Sequence, residues 1–145
     1  IEMYNDLYDI IMVDLPGNLK QKGVLSTYVL ADVILIPLQT DFVSLDSLTK
    51  FIKVYYDEIK PLQEKNNISC KLGAFLNNVN PRGIEVNELL NQRDSFKDKF
   101  TLFENLIPQS SVTFGREFNT YEQYENIANN SKYNQFIEEL IAFIK

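Results

Sequence analysis

At 145 residues with 45% hydrophobic content, the chain has the size of one ordinary domain and enough apolar side chains to bury a core. A net charge of −6 and a pI near 4.7 exclude a strongly basic surface that holds nucleic acid by phosphate neutralisation alone. Histidine is absent, which removes Ser-His-Asp and Cys-His catalysis and every histidine metal site, and the lone Cys70 excludes an internal disulfide and reads as a buried apolar residue.

The chain opens on Ile1 rather than methionine, which is expected of a piece that starts inside a longer coding sequence. The first apolar run, Tyr8 to Val13 ending at Asp14, has four consecutive apolar residues, as a strand covered on both faces should. Asp32 to Pro37 repeats the pattern. Leu45, Leu48, Phe51, Ile52, Tyr55, Ile59 and Leu62 recur at spacings of three and four, a single helical stripe, and Asp41 or Ser44 is placed to cap its start. A third strand is expected over Leu72 to Leu76. Val86, Leu89, Leu90, Phe96 and Phe100 suggest a second helix, and Thr101 to Ile107 a weaker fourth strand. Tyr133, Phe136, Ile137, Leu140, Ile141 and Ile144 give a last amphipathic helix, expected to pack on the core rather than on a membrane. Pro16-Gly17 and Asn77 to Gly83 are the strongest loop signals. Alternating strand and helix segments imply an α/β fold with a mostly parallel sheet and helical crossovers. No apolar run reaches the roughly 18 to 20 residues that span a bilayer, and the amino terminus lacks a signal-peptide layout, so a cytoplasmic protein is expected.

In open parallel sheets, ligands bind beyond the carboxyl ends of the strands, where crossover loops and helix amino termini gather. Those positions here are Asp14-Leu15-Pro16-Gly17, Leu38-Gln39-Thr40-Asp41, Asn77-Asn78-Val79-Asn80 and Pro108-Gln109-Ser110-Ser111. An aspartate ending an apolar strand before Pro-Gly can hold magnesium, directly or through water; the same residue also suits a plain turn.

Taken in order, the segments have a familiar look. Tyr8-Asp9-Ile10-Ile11-Met12-Val13-Asp14-Leu15-Pro16 resembles the Tyr-Asp, apolar, Asp-x-Pro signature of ParA/MinD-type P-loop ATPases, and Ala31-Asp32-Val33-Ile34-Leu35-Ile36-Pro37 resembles their following strand. Leu45-Asp46-Ser47-Leu48 is similar to the start of the next helix. Leu72-Gly73-Ala74-Phe75-Leu76-Asn77 resembles the strand whose terminal asparagine reads adenine, and Leu106-Ile107-Pro108 the loop that packs on the base.

The resemblance covers essentially the whole chain. It implies that residues 1–145 are the carboxyl-terminal portion of an incomplete P-loop NTPase domain of the SIMIBI type. The complete domain would use ATP and magnesium, dimerise around the nucleotide, and position cargo such as plasmids or chromosomes. A ParB-like stimulating partner and non-specific DNA are implied with it. Asp14 matches the Walker B carboxylate, catalytic and close to magnesium through water. Asn77 matches the adenine contact, Asn78 is its neighbouring competitor, and Pro108 lies against the base.

Departures matter equally. No Gly-x-x-x-x-Gly-Lys-[Ser/Thr] loop occurs, since Gly17, Gly23, Gly73, Gly83 and Gly115 all lack its neighbours, so nothing in this chain cradles phosphates and it is expected to be inactive alone. Gln109 stands where many relatives carry a basic residue, which leaves Arg82 and Arg116 as the candidates for DNA or phosphate contact. If the central strand lies elsewhere, the sheet is expected to carry an open edge or gap and to pair between chains or change its order. A catalytically silent scaffold is the alternative. A receiver-like domain phosphorylated on a strand-end aspartate is a third reading, but it lacks a convincing second acidic cluster and lysine.

Overall fold

The structure, a computed structural model, describes residues 7–17, 21, 23–109 and 131–145, the side chains of 131 and 132 excepted. Helix α1 (Val24–Leu30) leads into strand β1 (Val33–Leu38), and α2 (Phe42–Val54) continues through a π-helical turn (Tyr55–Ile59) into α3 (Lys60–Lys65). Strand β2 (Lys71–Val79) follows, then α4 (Ile84–Asn91), a single 3-10 turn (Arg93–Ser95), the two-residue strands β3 (Thr101–Leu102) and β4 (Ile107–Pro108), and α5 (Ser131–Ile144). All pairings are parallel. β2 lies between β1 on one side and β3 and β4 on the other, so the fold is an open parallel sheet with helices, an α/β fold.

Alternation along β2 divides the two helical layers. Leu72, Ala74 and Leu76 are buried and join Ile34, Leu38, Tyr55, Ile59, Val86, Phe100 and Leu102 in one core under α2 to α4. On the other face, Phe75 meets Phe136 of α5 with ring centroids 4.8 Å apart, and Phe103 meets Phe143 at 5.1 Å. Glu139 of α5 completes that attachment by accepting from the backbone amides of Glu104 and Asn105, both at 2.8 Å. Gly73 lies where α5 comes closest: a Cβ built there would sit 2.9 Å from Phe143 and 3.1 Å from Phe103.

The long helix forms where expected, and Asp41 caps it, accepting from the Ser44 amide at 2.9 Å, but its apolar stripe stops at Ile59: past the π turn Leu62 is exposed and Gln63 takes the buried position. Pro61 lacks an amide and crowds the carbonyl four residues before it. The π turn just ahead of it, closed by the Lys60 amide on the Tyr55 carbonyl, widens the helix and lets it run through the proline. Gln63, 1% exposed, ties this helix to α1 by donating to the carbonyls of Tyr28 (2.9 Å) and Ala31 (3.4 Å) while accepting from the Tyr55 hydroxyl. Burial raises the Tyr55 hydroxyl pKa, so this bond persists as a neutral pair.

The Asp41 cap gives a pH-dependent prediction. The Ser44 amide bond holds the Asp41 carboxyl below its ordinary 3.8. Because the folded value is the lower one, the cap's stabilisation is present above that ordinary value and is lost as pH falls through the lowered one. Asp41→Ala is therefore expected to lower the urea midpoint at pH 7, with the gap to the parent chain closing in strong acid; an equal gap at pH 7 and pH 2 contradicts the cap.

Five further sequence expectations need correction. Asn77 to Val79, expected to open a loop after a strand ending at Leu76, instead continue β2, because they pair with β4. The Tyr8–Val13 run forms no strand: Leu7 to Gly17 carry no regular element, and Ile10, Met12 and Val13 are exposed at 57%, 83% and 50%. The expected Thr101–Ile107 strand is instead two short strands separated by a bend. The second helix ends at Asn91, because the apolar spacing jumps from Leu90 to Phe96 and breaks the helical period; Phe96 and Phe100 stack on each other at 5.2 Å instead. Cys70 is half-buried rather than fully buried, and its thiol is raised mainly by burial, which keeps it protonated and unreactive.

Candidate functional site at the carboxyl end of the sheet

Strand β2 is the longest and runs beyond its neighbour β1, whose last partner is Leu76. Its final residues pair with β4 instead, Asn77 with Ile107 and Val79 with Pro108. Two steps along β2 match one along β4, so Asn78 is the extra residue of a bulge. Asn78 takes a left-handed backbone, φ 57°, which asparagine tolerates better than most side chains. The Gln109 amide then donates to the Val79 carbonyl at 2.8 Å and fixes the chain just past Pro108.

The bulge sorts the two asparagines. Asn77 is half-buried beside Ile107 and Pro108, whereas Asn78 is exposed. A side-chain amide both donates and accepts, so a half-buried asparagine on a strand paired with an apolar Ile-Pro segment has the chemistry to read the edge of a flat heteroaromatic ring. Bulges recur next to binding sites because they re-aim one side chain without ending the strand. The sequence-derived Asn77, Asn78 and Pro108 are thus brought together, and Asn78 is the turn former of the three.

The other expected site residues fall elsewhere. Asp14 follows no strand and is exposed, and no hydrogen bond or ion pair joins it to Asn77 or Pro108 among the described residues. Arg82 lies exposed in the turn after β2, where its amide donates to the Asn80 side-chain oxygen at 3.1 Å and the Gly83 amide to the Asn80 carbonyl at 2.9 Å. Arg116 lies outside the described residues. Among the described residues no group of three or more His, Cys, Asp or Glu side chains could hold a metal ion, and no helix is long and apolar enough to cross a membrane. At the mouth of β1, Leu38 is followed by Gln39 and Thr40 and then by the Asp41 cap, so that carboxylate already has a structural partner.

The β1 edge facing away from β2 is unpaired among the described strands. The Asp32 carbonyl accepts from the Lys71 amide, so the alternating backbone groups of Val33, Leu35 and Pro37 face the open side, where Pro37 supplies no donor. Sequence reasoning missed α1, which lies before this strand; its signal was two apolar pairs four apart, Val24 with Tyr28 and Leu25 with Val29, of which Val24 is buried and the other three pack on the core.

Comparison of the chain with protein-family models, with curated proteins and with solved structures finds no match.

Proposed function

We propose that this chain is the carboxyl-terminal portion of a ParA/MinD-like ATPase domain and supplies the base-binding half of its nucleotide site. The observation that carries the reading is the bulged end of β2, which sets a half-buried Asn77 against Ile107-Pro108 at the carboxyl edge of a parallel sheet. Two further features support it. β1 has an open edge, and the strand-like Tyr8–Val13 run stands outside the sheet with its apolar side chains in water. A sheet that lacks one strand between these two would leave both features. In the family named above, the strand leading to the phosphate loop occupies that place, and once it is present Asp14 would be carried to the mouth beside it.

In this reading Asn77 would bond the purine edge, Pro108 and Ile107 would cover the ring, and Asp14 would hold magnesium through water in the complete domain. The magnesium would neutralise charge developing on the transferred phosphoryl group. Dimerisation around the nucleotide, contact with DNA and stimulation by a partner belong to the same proposal. Loop amides and a lysine are needed to stabilise the transferred phosphoryl group, so the 145-residue chain is expected to bind magnesium-ATP no tighter than about 1 mM and to hydrolyse none, whereas a longer polypeptide with the phosphate loop binds and turns it over. Calorimetric titration of both proteins decides this; sub-micromolar affinity in the 145-residue chain overturns it. The exposure of Asp14 favours a second reading, a silent scaffold, which predicts no binding by either protein.

A further inference from the structure

At the opposite, amino-terminal edge of the sheet, a groove of about 530 Å3 opens between the π turn, the starts of β2 and β3, and the last turn of α5. Among the described residues that line it are Lys60, Lys71, Lys97 and Lys99, with Asp98 the only acidic one among them, on a chain whose net charge is −6. Two of the lysines have structural duties. Lys71 donates to the carbonyls of Phe143 (3.0 Å) and Ile144 (3.5 Å), which satisfies the end of α5 and offsets the negative pole of its dipole. Lys60 lies 5.0 Å over the Tyr56 ring and reaches Glu64 at 3.9 Å, a loose surface pair that can open readily.

Lys97 and Lys99 have no ion-pair partner among the described residues. Their loop is nonetheless held in place. The Tyr56 hydroxyl donates to the Lys99 carbonyl at 2.8 Å, the Lys99 amide donates to the Phe96 carbonyl at 2.8 Å, and the Phe96–Phe100 stack anchors both ends of the loop. The π turn that presents Tyr56 and Lys60 to the groove is a rare feature that recurs at binding sites. Like charges gathered on a fixed loop repel one another, and a bound anion relieves that repulsion.

We propose that this groove binds a small phosphate-bearing anion of several charges, with Lys97 and Lys99 as its main contacts, Lys60 swinging from Glu64 to join them and the Tyr56 ring as one wall. The volume lies within the roughly 300–1,000 Å3 of small-molecule clefts. The charge type favours phosphate over carboxylate: planar carboxylates are best met by the two-pronged guanidinium, no arginine lines the groove among the described residues, and ammonium groups suit a tetrahedral oxyanion approached from several directions. The site is separate from the strand ends that carry Asn77 and Pro108, because Lys71 begins β2, toward whose far end Asn77 lies, and Thr101 begins β3, whereas Pro108 closes the later strand β4.

The test is an NMR titration of the 145-residue chain with sodium tripolyphosphate at low and physiological salt. Saturable shifts confined to Tyr56, Lys60 and residues 97–101 are expected, with weaker binding as salt rises. The pair Lys97→Gln with Lys99→Gln should weaken binding at least about tenfold, whereas the exposed pair Lys53→Gln with Lys65→Gln and the single Asn77→Ala should leave it unchanged. Citrate should bind more weakly than tripolyphosphate. Shifts spread over all lysines, equal weakening by the two lysine pairs, loss with Asn77→Ala, or citrate binding equal to tripolyphosphate would each overturn the assignment.

Discussion

Leu76→Ala is expected to lower the stability of the chain by about 3–5 kcal/mol, a large fraction of the roughly 5–15 kcal/mol typical of a domain. Leu76 is 0% exposed on the central strand, level with Leu38 of β1 and packed in the core that joins β1, β2, β3 and α4. The backbone on either side is held by ladder bonds to β1 and then β4, so the void cannot close by strand movement. Urea unfolding should show a lower midpoint with an unchanged slope. A loss below about 1 kcal/mol means that this layer is loosely packed, because transfer of the lost methyl groups alone exceeds it.

The second large effect is expected at Gly73. A valine there would drive its Cβ and methyls into Phe143 and Phe103, which already lie 2.9 and 3.1 Å from an ideal Cβ. Phe143 is in the last turn of α5, and its carbonyl accepts from Lys71, so the clash acts on the attachment of the helix rather than on one flexible ring. Gly73→Val is expected to cost about 1–3 kcal/mol through overpacking, with faster amide exchange along α5. Phe143→Ala in the same chain should return part of that loss, since the cavity made by one change accepts the other; strict additivity of the two effects contradicts the close approach.

Elements with a sustained period were legible. Seven apolar positions at spacings of three and four specified α2 to α3, and Asp41 marked its start within a residue. β2 and α5 were equally clear, because burial on both sheet faces and along one helix face writes itself into the pattern. The missing first strand has a separate cause from the shortened second helix: composition states what a segment can do, whereas a strand also needs an edge to pair with. Tyr8–Val13 has the composition of a strand buried on both faces, but it pairs with none of the described strands, and on the open-edged β1 Val33 and Leu35 are only half covered. A strand added there would keep one apolar face in water.

Site residues divide along the same line. That Asn77 and Pro108 come together could be read in advance, because each directly follows an apolar run and parallel pairing of β2 with β4 brings those ends side by side. The bulge could not be read, since a positive φ at Asn78 depends on how two strands of unequal length fit. Asp14 had the expected neighbours in sequence, but the apolar run before it forms no strand, so the aspartate stands at no strand end. The lysine groove left no motif at all: residues 60, 71, 97 and 99 converge only through the crossovers.

The base-reading role proposed for Asn77 is tested most directly by titrating ATP and GTP into a longer polypeptide that carries a phosphate loop and into its Asn77→Ala and Asn78→Ala variants. ATP affinity should fall about tenfold, or 1.4 kcal/mol, in Asn77→Ala, erasing the preference over GTP, while Asn78→Ala keeps that preference. An unchanged ATP-to-GTP ratio in Asn77→Ala would contradict the account.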